Sequence, residues 1–251
     1  MSDNAIALSQ VSYRYPSQSQ WLLDSYQFTV PRGTIFSIMG TNGRGKTTLL
    51  KLLLGTLKPA TGQVTVNGSM AFVPQLQLTH LPYRVLDIVL MGRAKKMGLF
   101  SLPSAEDHDV ALNALERLGL TALAHTSFDT LSGGQRQLVI FARALASGAD
   151  ILILDEPTSA LDLQNQHLIL RWMTRLARDA GLTVIFTTHQ PQHAWHIADR
   201  VLLIRGGQDY QIGPTRAVLT EENLYALYGV HLKEITYRHH QLQHSTLVPV
   251  F

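Results

Sequence analysis

One eight-residue segment constrains the fold of this chain more than any other. Gly40-Thr-Asn-Gly-Arg-Gly-Lys-Thr fits the pattern G-x-x-x-x-G-K-[ST], between a strand predicted over Thr34–Met39 and a helix predicted over Lys46–Leu54. Glycines allow successive backbone N–H groups to turn inwards around an anion, and the helix N-terminus adds its positive end. The segment therefore predicts a phosphate-binding loop at the edge of an α/β sheet, in preference to a chance glycine-rich turn.

The side chains of this loop predict ATP and Mg²⁺ as cofactors. Lys46 would reach the β- and γ-phosphates of a nucleotide, and the Thr47 hydroxyl would ligate Mg²⁺. Arg44 adds a cation beside the phosphates and would tighten binding slightly. The candidate nucleotide contacts are Gly40, Thr41, Asn42, Gly43, Arg44, Gly45, Lys46, Thr47 and Thr48.

A second segment places two carboxylates at the end of an apolar strand. Ile151-Leu-Ile-Leu-Asp-Glu has the pattern of a buried strand that ends in Asp155 and Glu156, before Pro157 breaks it. Asp155 is placed to hold Mg²⁺, and Glu156 to polarise an attacking water. Because apolar strands that end in acids are common, this assignment depends on the phosphate-binding loop that precedes it.

A third segment, Leu131-Ser-Gly-Gly-Gln, precedes a helix predicted over Arg136–Ala146. Its backbone N–H groups and its serine hydroxyl suit a phosphate oxygen, although an N-cap by Ser132 is the simpler interpretation of the segment alone. One nucleotide does not need two phosphate cradles. We therefore predict that each nucleotide lies between two copies of the chain, and that the second copy contributes Ser132, Gly133, Gly134 and Gln135.

The patterns before residue 131 predict a small sheet followed by a helical region. Alternating residues predict strands of a half-buried sheet over Ala5–Tyr15, Ser25–Val30, Thr34–Met39 and Gln63–Asn67, and we expect an N-terminal antiparallel β subdomain. Residues from about 75 to 130 follow a helical pattern. Ser104 and Asp107 form a capping pair there, and the helix that they open has Val110, Leu112, Leu115 and Leu118 on its apolar side.

The patterns after Asp150 return to alternating strands and helices. Ile151–Leu154, Thr183–Thr187 and Val201–Arg205 are short apolar strands, separated by helices near Asp162–Ala180 and Gln192–Ala198. Such alternation predicts a largely parallel sheet covered on both faces. The fold class is therefore α/β, with an inserted helical subdomain.

Composition excludes several classes of function. There is no cysteine, so disulfides, cysteine metal sites and thiol catalysis are ruled out. The net charge of +3 is scattered without a long run of Lys or Arg, so we expect no nucleic-acid partner. No export signal is visible and no apolar run is long enough to span a membrane. We therefore expect a soluble, cytoplasmic chain whose link to a membrane runs through a partner.

Together these segments resemble the ATP-binding subunit of an ABC transporter, a P-loop NTPase, over about residues 5–230. Gly40–Thr47 resembles the Walker A loop of that family, Asp155 the Walker B aspartate and Glu156 the catalytic glutamate. Leu131–Gln135 is similar to the signature motif, which in that family contacts the γ-phosphate of the opposite subunit. The resemblance implies a homodimer with ATP between its two copies.

Further site residues are identified through this resemblance. Gln75 resembles the Q-loop glutamine, which joins Mg²⁺, water and the transporter interface, and His189 resembles the switch histidine. Asp162 ends Ser-Ala-Leu-Asp, which resembles the D-loop, and Tyr15 resembles the aromatic residue that stacks on adenine, with Tyr13 as the alternative. The family implies that Glu156, His189 and Gln75 are catalytic, and that Mg²⁺ is held by Thr47, Gln75 and Asp155.

Within the family, three stretches are similar to the ATPases of metal-chelate importers, which handle iron–siderophores, haem, cobalamin, molybdate or tungstate. They are Pro82–Arg93, Thr187–Pro191 and Gly213–Tyr228. In the first of them the alternative is that Val85, Ile88 and Val89 are core residues at helical spacing. The resemblance implies integral membrane permease subunits as partners, a periplasmic or surface substrate-binding protein acting indirectly, and a location on the cytoplasmic face of the membrane.

We expect one nucleotide-binding domain over residues 1–230, with its core at about 1–74 and 131–230 and its helical subdomain at about 75–130. The tail over 231–251 contains His231, His239, His240 and His244, and a polar surface hairpin is favoured over a metal-sensing site because no ligand spacing recurs. Two rival functions stay open: an ATP-gated clamp that is not coupled to transport, and an importer ATPase for another substrate class. Glu156 and His189 argue against a pure switch, which has no need of a base.

Overall fold

The computed structural model describes residues 3–75, 82–97, 102–159 and 161–250, and a six-stranded sheet lies at its centre. Numbered in chain order, its strands are β3 (Ile35–Met39), β5 (Met70–Val73), β6 (Ile151–Leu154), β7 (Thr183–Thr188), β8 (Arg200–Gly206) and β9 (Asp209–Pro214). Their order across the sheet is β5-β6-β7-β3-β8-β9, and every pairing is parallel except that of β8 with β9. The predicted α/β fold with a largely parallel sheet is confirmed.

A three-stranded antiparallel sheet is built from segments on either side of the phosphate loop. It consists of β1 (Asn4–Tyr13), β2 (Leu23–Pro31) and β4 (Thr61–Val66), in the order β2-β1-β4. In β1 the register shifts between Leu8 and Val11, and a bulge of this kind interrupts the alternation of buried and exposed side chains. β1 ends at Tyr13, so Tyr15, which the pattern assigns to the strand, lies in the loop that follows.

The two faces of the central sheet contribute to two different cores. In β3, Phe36 and Ile38 share a core with α1 (Lys46–Leu53) and the antiparallel sheet, whereas Ile35 and Met39 share a core with the remaining helices. Successive strand residues point to opposite faces, so an unbroken apolar strand supplies both cores. The remaining helices are α2 (Val85–Leu90), α3 (Ala105–Arg117), α4 (Gly133–Ala146), α5 (Leu163–Ala180), α6 (Pro191–Ile197), α7 (Thr215–Val218) and α8 (Glu221–Tyr228).

The inserted helical region is held together by a buried ion pair. Arg93, in the 3₁₀ turn after α2, donates to Asp107 of α3 at 2.8 Å and to the carbonyl of Ala146, the last residue of α4, at 3.2 Å. The Ser104 hydroxyl hydrogen bond, and then Arg93, lower the pKa of Asp107 to about 2. Ser104 and Asp107 form the predicted capping box. The start of α3 is therefore tied to the end of α4.

Some predicted details of this region differ from the structure. In α3 the buried side is formed by Ala111, Ala114 and Leu115, because Val110 and Leu112 turn towards its margin and are only partly buried. Most other predicted bounds agree within two residues. The helical prediction for residues 76–81 and 98–101 lies outside the described residues.

The C-terminal residues form an antiparallel hairpin of β10 (His231–His239) and β11 (Leu242–Val250), which is the form that the sequence favours. Leu232 and Leu247 are buried in the core shared with the helices. In the part of the chain that the structure describes, no three His, Asp or Glu residues are grouped as a metal ion would require. In the same part, no helix has the length and apolar character needed to cross a bilayer.

Candidate active site

The phosphate loop lies between the end of β3 and the first residue of α1, and two of its glycines have clear structural reasons. Gly45 has a φ of 94°, in the left-handed region that favours glycine. A Cβ at Gly40 would lie 2.8 Å from the carbonyl oxygen of Ile204. The loop can therefore turn tightly and lie close to the neighbouring strand β8. This path places the backbone N–H groups of the loop at the N-terminus of α1.

An open cleft of about 470 Å³ lies against this loop. Its lining combines predicted and unpredicted residues: Tyr15, Gln18, Leu22, Asn42, Gly43, Gly45, Lys46, Thr47, Thr48, Gln75 and Glu156. Gln18 and Leu22 belong to the loop between β1 and β2, and no motif in the sequence marks them. They reach the cleft because the antiparallel sheet packs beside the phosphate loop, which only the tertiary structure reveals.

Lys46 is buried at the base of the cleft and is surrounded by oxygen atoms. Its Nζ donates to the carbonyl of Gly40 at 2.9 Å and lies 3.5 Å from Oε1 of Glu156, and only 6 % of its side chain is exposed. A buried cation requires such compensation. The ammonium group is thus held where the oxygen atoms of a nucleotide phosphate would compete for it.

Asp155 and Thr47 provide two oxygen ligands suited to Mg²⁺. The Thr47 hydroxyl donates to Oδ2 of Asp155 at 3.0 Å, which is close to the spacing of neighbouring oxygen atoms around an octahedral Mg²⁺, about 2.9 Å. The Thr187 hydroxyl donates to Oδ1 of the same carboxylate at 2.7 Å. This second bond fixes the orientation of Asp155, so the residues present fit the ion that the sequence predicts.

Glu156 occupies a strained position between Lys46 and His189. Its φ is 44°, a left-handed conformation that is costly for a residue with a side chain. Its backbone N–H donates to the Thr187 hydroxyl at 2.8 Å, and its Oε2 lies 3.4 Å from Nδ1 of His189. Thr187 therefore supports both carboxylates, a role that the sequence pattern does not indicate. His189, predicted separately from Glu156, directly adjoins it.

Gln75 is connected to Glu156 through Ser159. Nε2 of Gln75 donates to the Ser159 hydroxyl at 3.1 Å, and that hydroxyl donates to the Glu156 carbonyl at 2.8 Å. Ser159 is the first residue of the segment that resembles a D-loop; Ala160, in the same segment, lies outside the described residues. A movement of the Glu156 backbone would therefore be transmitted through Ser159 to the Gln75 side chain.

The two tyrosines considered for the nucleobase have different surroundings. Tyr13 is buried in the core beside the antiparallel sheet, with 8 % of its surface exposed. Tyr15 borders the cleft, and its hydroxyl lies 3.0 Å from the Thr48 hydroxyl. The Tyr15 ring also packs edge-on against Tyr13 at 5.2 Å. Of the two tyrosines, Tyr15 is the one that borders the cleft.

The segment Leu131–Gln135 does not border this cleft in a single chain. Ser132 caps α4 through a reciprocal capping box with Gln135, so the helix begins at Gly133 and not at Arg136 as predicted. A Cβ at Gly134 would overlap the side chain of Asn165. Asn165 in turn bonds the Asp162 carboxylate at 2.8 and 3.0 Å. Residues 132–135 and Asp162 thus form a second cluster, separate from the cleft.

The helix after His189 contains a buried histidine that should make stability depend on pH. Nδ1 of His193 lies 3.1 Å from the Thr158 hydroxyl, and burial, followed by the charges of His196 and His189, lowers the His193 pKa to about 4. An unfolded histidine titrates near pH 6.5. Between these values the unfolded chain binds more protons, so this stability is present above about pH 6.5 and is lost as the pH falls towards 4.

We expect the melting temperature to fall less between pH 7 and pH 5 in His193→Gln than in the parent chain, as measured by thermal unfolding. His167→Gln, an exposed substitution on α5, is the control and should keep the parental slope. Equal slopes for His193→Gln and the parent would show that His193 does not carry the pH dependence.

The chain is similar to several known proteins. Residues 23–159 match the family described as ABC transporter. The molybdate import ATP-binding protein MolC of Haemophilus influenzae is 41 % identical over 249 residues, which cover 99 % of this chain and 98 % of that protein.

Two solved structures are similar to this chain. One is an inward-facing ABC transporter assigned to the metal-chelate type, with a TM-score of 0.94 and 41 % identity over 99 % of this chain and 98 % of that one. The other is the dimer of a bacterial ABC transporter cassette, with a TM-score of 0.71 and 27 % identity over 84 % of this chain and 99 % of that one. In the first structure the shared length is nearly all of the chain.

Proposed function

This chain belongs to the ATP-binding proteins of ABC transporters, and on that premise we propose that it hydrolyses ATP to drive import of a metal chelate or metal oxyanion through a separate membrane permease. The ATPase assignment is carried by one observation: Lys46 and Glu156 line a cleft formed by a phosphate loop, and Asp155 bonds to Thr47 of the same lining. The import assignment is supported by the similarity to a molybdate import protein over nearly the whole chain. On this proposal the chain acts at the cytoplasmic face of the membrane.

The arrangement of side chains suggests the role of each in hydrolysis. The loop N–H groups and Lys46 bind the β- and γ-phosphates, and Lys46 exchanges its contacts with Gly40 and Glu156 for phosphate oxygens. Mg²⁺, held by Thr47 and Asp155 with Gln75 nearby, would neutralise charge on the phosphates. Glu156 accepts a proton from the attacking water. The water oxygen forms a bond to the γ-phosphorus while the bond to the bridging oxygen breaks, which releases ADP.

His189 and Tyr15 complete the proposed site. His189 adjoins the Glu156 carboxylate and is placed to orient it and to contact the γ-phosphate. Tyr15, which borders the cleft, is placed to stack on adenine. The remaining loop residues Gly40, Thr41, Asn42, Gly43, Arg44, Gly45 and Thr48 surround the phosphates on this proposal.

A second copy of the chain would complete each site. Ser132–Gln135 and Asp162 lie together at the starts of α4 and α5 and leave the cleft of their own chain open. The helix N-terminus at Gly133 presents free N–H groups suited to a γ-phosphate. The dimeric cassette with 27 % identity is consistent with a facing pair. We infer that these residues contact the nucleotide bound by the partner copy.

A mixing experiment tests this composite site. Lys46→Ala and Ser132→Arg damage opposite halves of each site, so each homodimer has two broken sites, whereas a mixed dimer has one intact site. Mixing the two inactive proteins should therefore restore measurable phosphate release.

The matched control mixes Lys46→Ala with Glu156→Gln. Both substitutions damage the same half of each site, so the mixed dimer has no intact site and should stay inactive. Absence of rescue in the first mixture, despite mixed dimers demonstrated by differential tagging, would contradict the facing-pair arrangement.

The proposed contact with the permease lies around α2. Val85, Ile88 and Val89 are at most 1 % exposed and pack in the core, which is the alternative that the sequence left open for them. The side chains available to a partner are Tyr83 and Met91, 48 % and 46 % exposed, with Asp87 between them. Gln75, bonded to Ser159, would couple nucleotide-driven closure to this surface.

The substrate class is tested by reconstituting the ATPase with its permease and substrate-binding protein. Molybdate, tungstate, a ferric siderophore, haem and cobalamin are titrated separately, and one of them should stimulate ATP turnover because coupling runs in both directions. Stimulation should be lost in Gln75→Ala and in Met91→Glu.

The control for Met91→Glu is Leu242→Glu, which places the same charge at an exposed apolar position on the C-terminal hairpin. It should keep the stimulation. Stimulation only by sugars, amino acids or peptides would overturn the metal-chelate proposal and leave the ATPase assignment intact.

A further inference from the structure

The peptide that carries His189 is held by a residue far away in the sequence. β7 ends at Thr188 and α6 begins at Pro191, so His189 lies in a two-residue connection. Its imidazole is nearly half exposed, at 46 %, and lies 3.4 Å from Glu156. The carbonyl of His189 accepts a hydrogen bond from the hydroxyl of Tyr228 at 2.9 Å. The short connection is thus tied directly to the C-terminal part of the chain.

Tyr228 is well suited to hold that peptide rigidly. It is the last residue of α8, whose C-terminus is capped by Gly229 in the left-handed conformation. The Tyr228 ring packs against the core that β3 shares with helices α2–α8. Burial raises the pKa of the Tyr228 phenol, so the hydroxyl stays protonated and able to donate. A protonated, packed phenol provides one directional bond and no charge.

Helix α6, which follows the connection, is held independently by the C-terminal hairpin. Three residues of α6 bond to β11: Gln192 to the carbonyl of Leu247 at 3.2 Å, the Trp195 indole N–H to the carbonyl of Ser245 at 3.2 Å, and His196 with the Thr246 hydroxyl at 3.2 Å. Because these bonds fix α6, loss of the Tyr228 hydroxyl would release the His189 peptide without releasing the helix.

We propose that Tyr228 is a positioning residue for hydrolysis, which holds the His189 peptide so that the imidazole stays beside Glu156 and faces the γ-phosphate. This rests on the role proposed above for His189. Tyr228 does not border the cleft, so it acts through His189 and not on the nucleotide. The C-terminal segment thereby takes part in the catalytic geometry.

Tyr228→Phe removes only the hydroxyl and keeps the packed ring. We expect kcat for ATP hydrolysis to fall about three- to tenfold, the effect of one lost hydrogen bond, with KM for ATP unchanged. Tyr225→Phe is the matched control, since it makes the same change on the exposed side of the same helix, and it should keep the parental kcat. Thermal unfolding should show both variants folded.

A double-substitution cycle separates positioning from a general structural effect. If Tyr228 acts through His189, Tyr228→Phe should have no further effect on single-turnover hydrolysis in a His189→Ala background. Two results would overturn the inference about Tyr228 and leave the role of His189 intact. One is that Tyr228→Phe lowers hydrolysis equally in the parental and His189→Ala backgrounds. The other is a parental kcat for Tyr228→Phe when His189→Ala is impaired. Parental turnover in His189→Ala would overturn the role of His189 itself, and with it the inference.

Discussion

Glu156→Gln is expected to lower ATP turnover by about 10²–10⁴-fold while ATP still binds. The amide keeps the size of the carboxylate but cannot accept the proton of the attacking water. Lys46 Nζ lies 3.5 Å from Glu156, and this contact competes with phosphate for the ammonium group. Its loss should leave ATP affinity at least as high as in the parent chain, because Lys46 is then freer to bind phosphate.

Phosphate release and calorimetric ATP titration measure the two halves of this prediction. The bound but uncleaved nucleotide should also hold two copies together, so the variant should elute as a dimer with ATP during gel filtration. Glu116→Gln, an exposed acid on α3, is the control and should keep parental turnover. Parental turnover in Glu156→Gln would show that another residue is the base.

The same measurement separates the proposed ATPase from its rival. An ATP-gated clamp that does not turn over would release no phosphate in the parent chain, even with permease present, and Glu156→Gln would then change nothing. The left-handed backbone of Glu156 and its contacts with Lys46 and His189 favour hydrolysis, because strain of this kind is typical of positions under functional constraint.

The parts of the site that the sequence predicted are those encoded by local segments at strand ends. The phosphate loop is contiguous, so its motif carries the conformation of Gly45 and the placement of Lys46 with it. Asp155 and Glu156 end β6, and His189 follows β7, its parallel neighbour. The carboxyl ends of parallel strands meet at one edge of a sheet, which explains why these residues come together, although His189 was identified only through the resemblance to the family.

The residues that the sequence did not predict depend on packing between distant segments. Gln18 and Leu22 have no local pattern and reach the cleft only through the antiparallel sheet. Thr187 looks like an ordinary β-branched strand residue, and its hydroxyl becomes important only because β7 lies beside β6. The role of Tyr228 likewise cannot be predicted from a local pattern, since its partner His189 is 39 positions away in the sequence.

One prediction was wrong and one open alternative was decided, each for a local physical reason. The start of α4 was predicted too late because the two glycines suggested a loop, whereas Ser132 and Gln135 have the spacing of a capping box, which starts the helix at Gly133. For the apolar residues of α2 the sequence left two interpretations open, and the structure supports core packing, since Val85, Ile88 and Val89 have helical spacing and are buried. At both segments the simpler local interpretation, a helix cap at Ser132 and core packing in α2, describes the single chain. The functional role proposed for each segment depends on its exposed atoms.

Lys46→Ala should weaken ATP binding at least about tenfold. The ammonium group forms charge-assisted contacts with phosphate, each of which contributes about 1.5–3 kcal/mol. The loop N–H groups remain, so binding should be weakened and not abolished. Lys51→Ala, on the same helix but directed to solvent, changes the charge equally and is the control. Calorimetry with both variants, each checked by thermal unfolding, should show the loss only for Lys46→Ala. An unchanged dissociation constant there would contradict the phosphate-loop assignment, since the buried Nζ held by Gly40 and Glu156 would then have no part in binding the nucleotide.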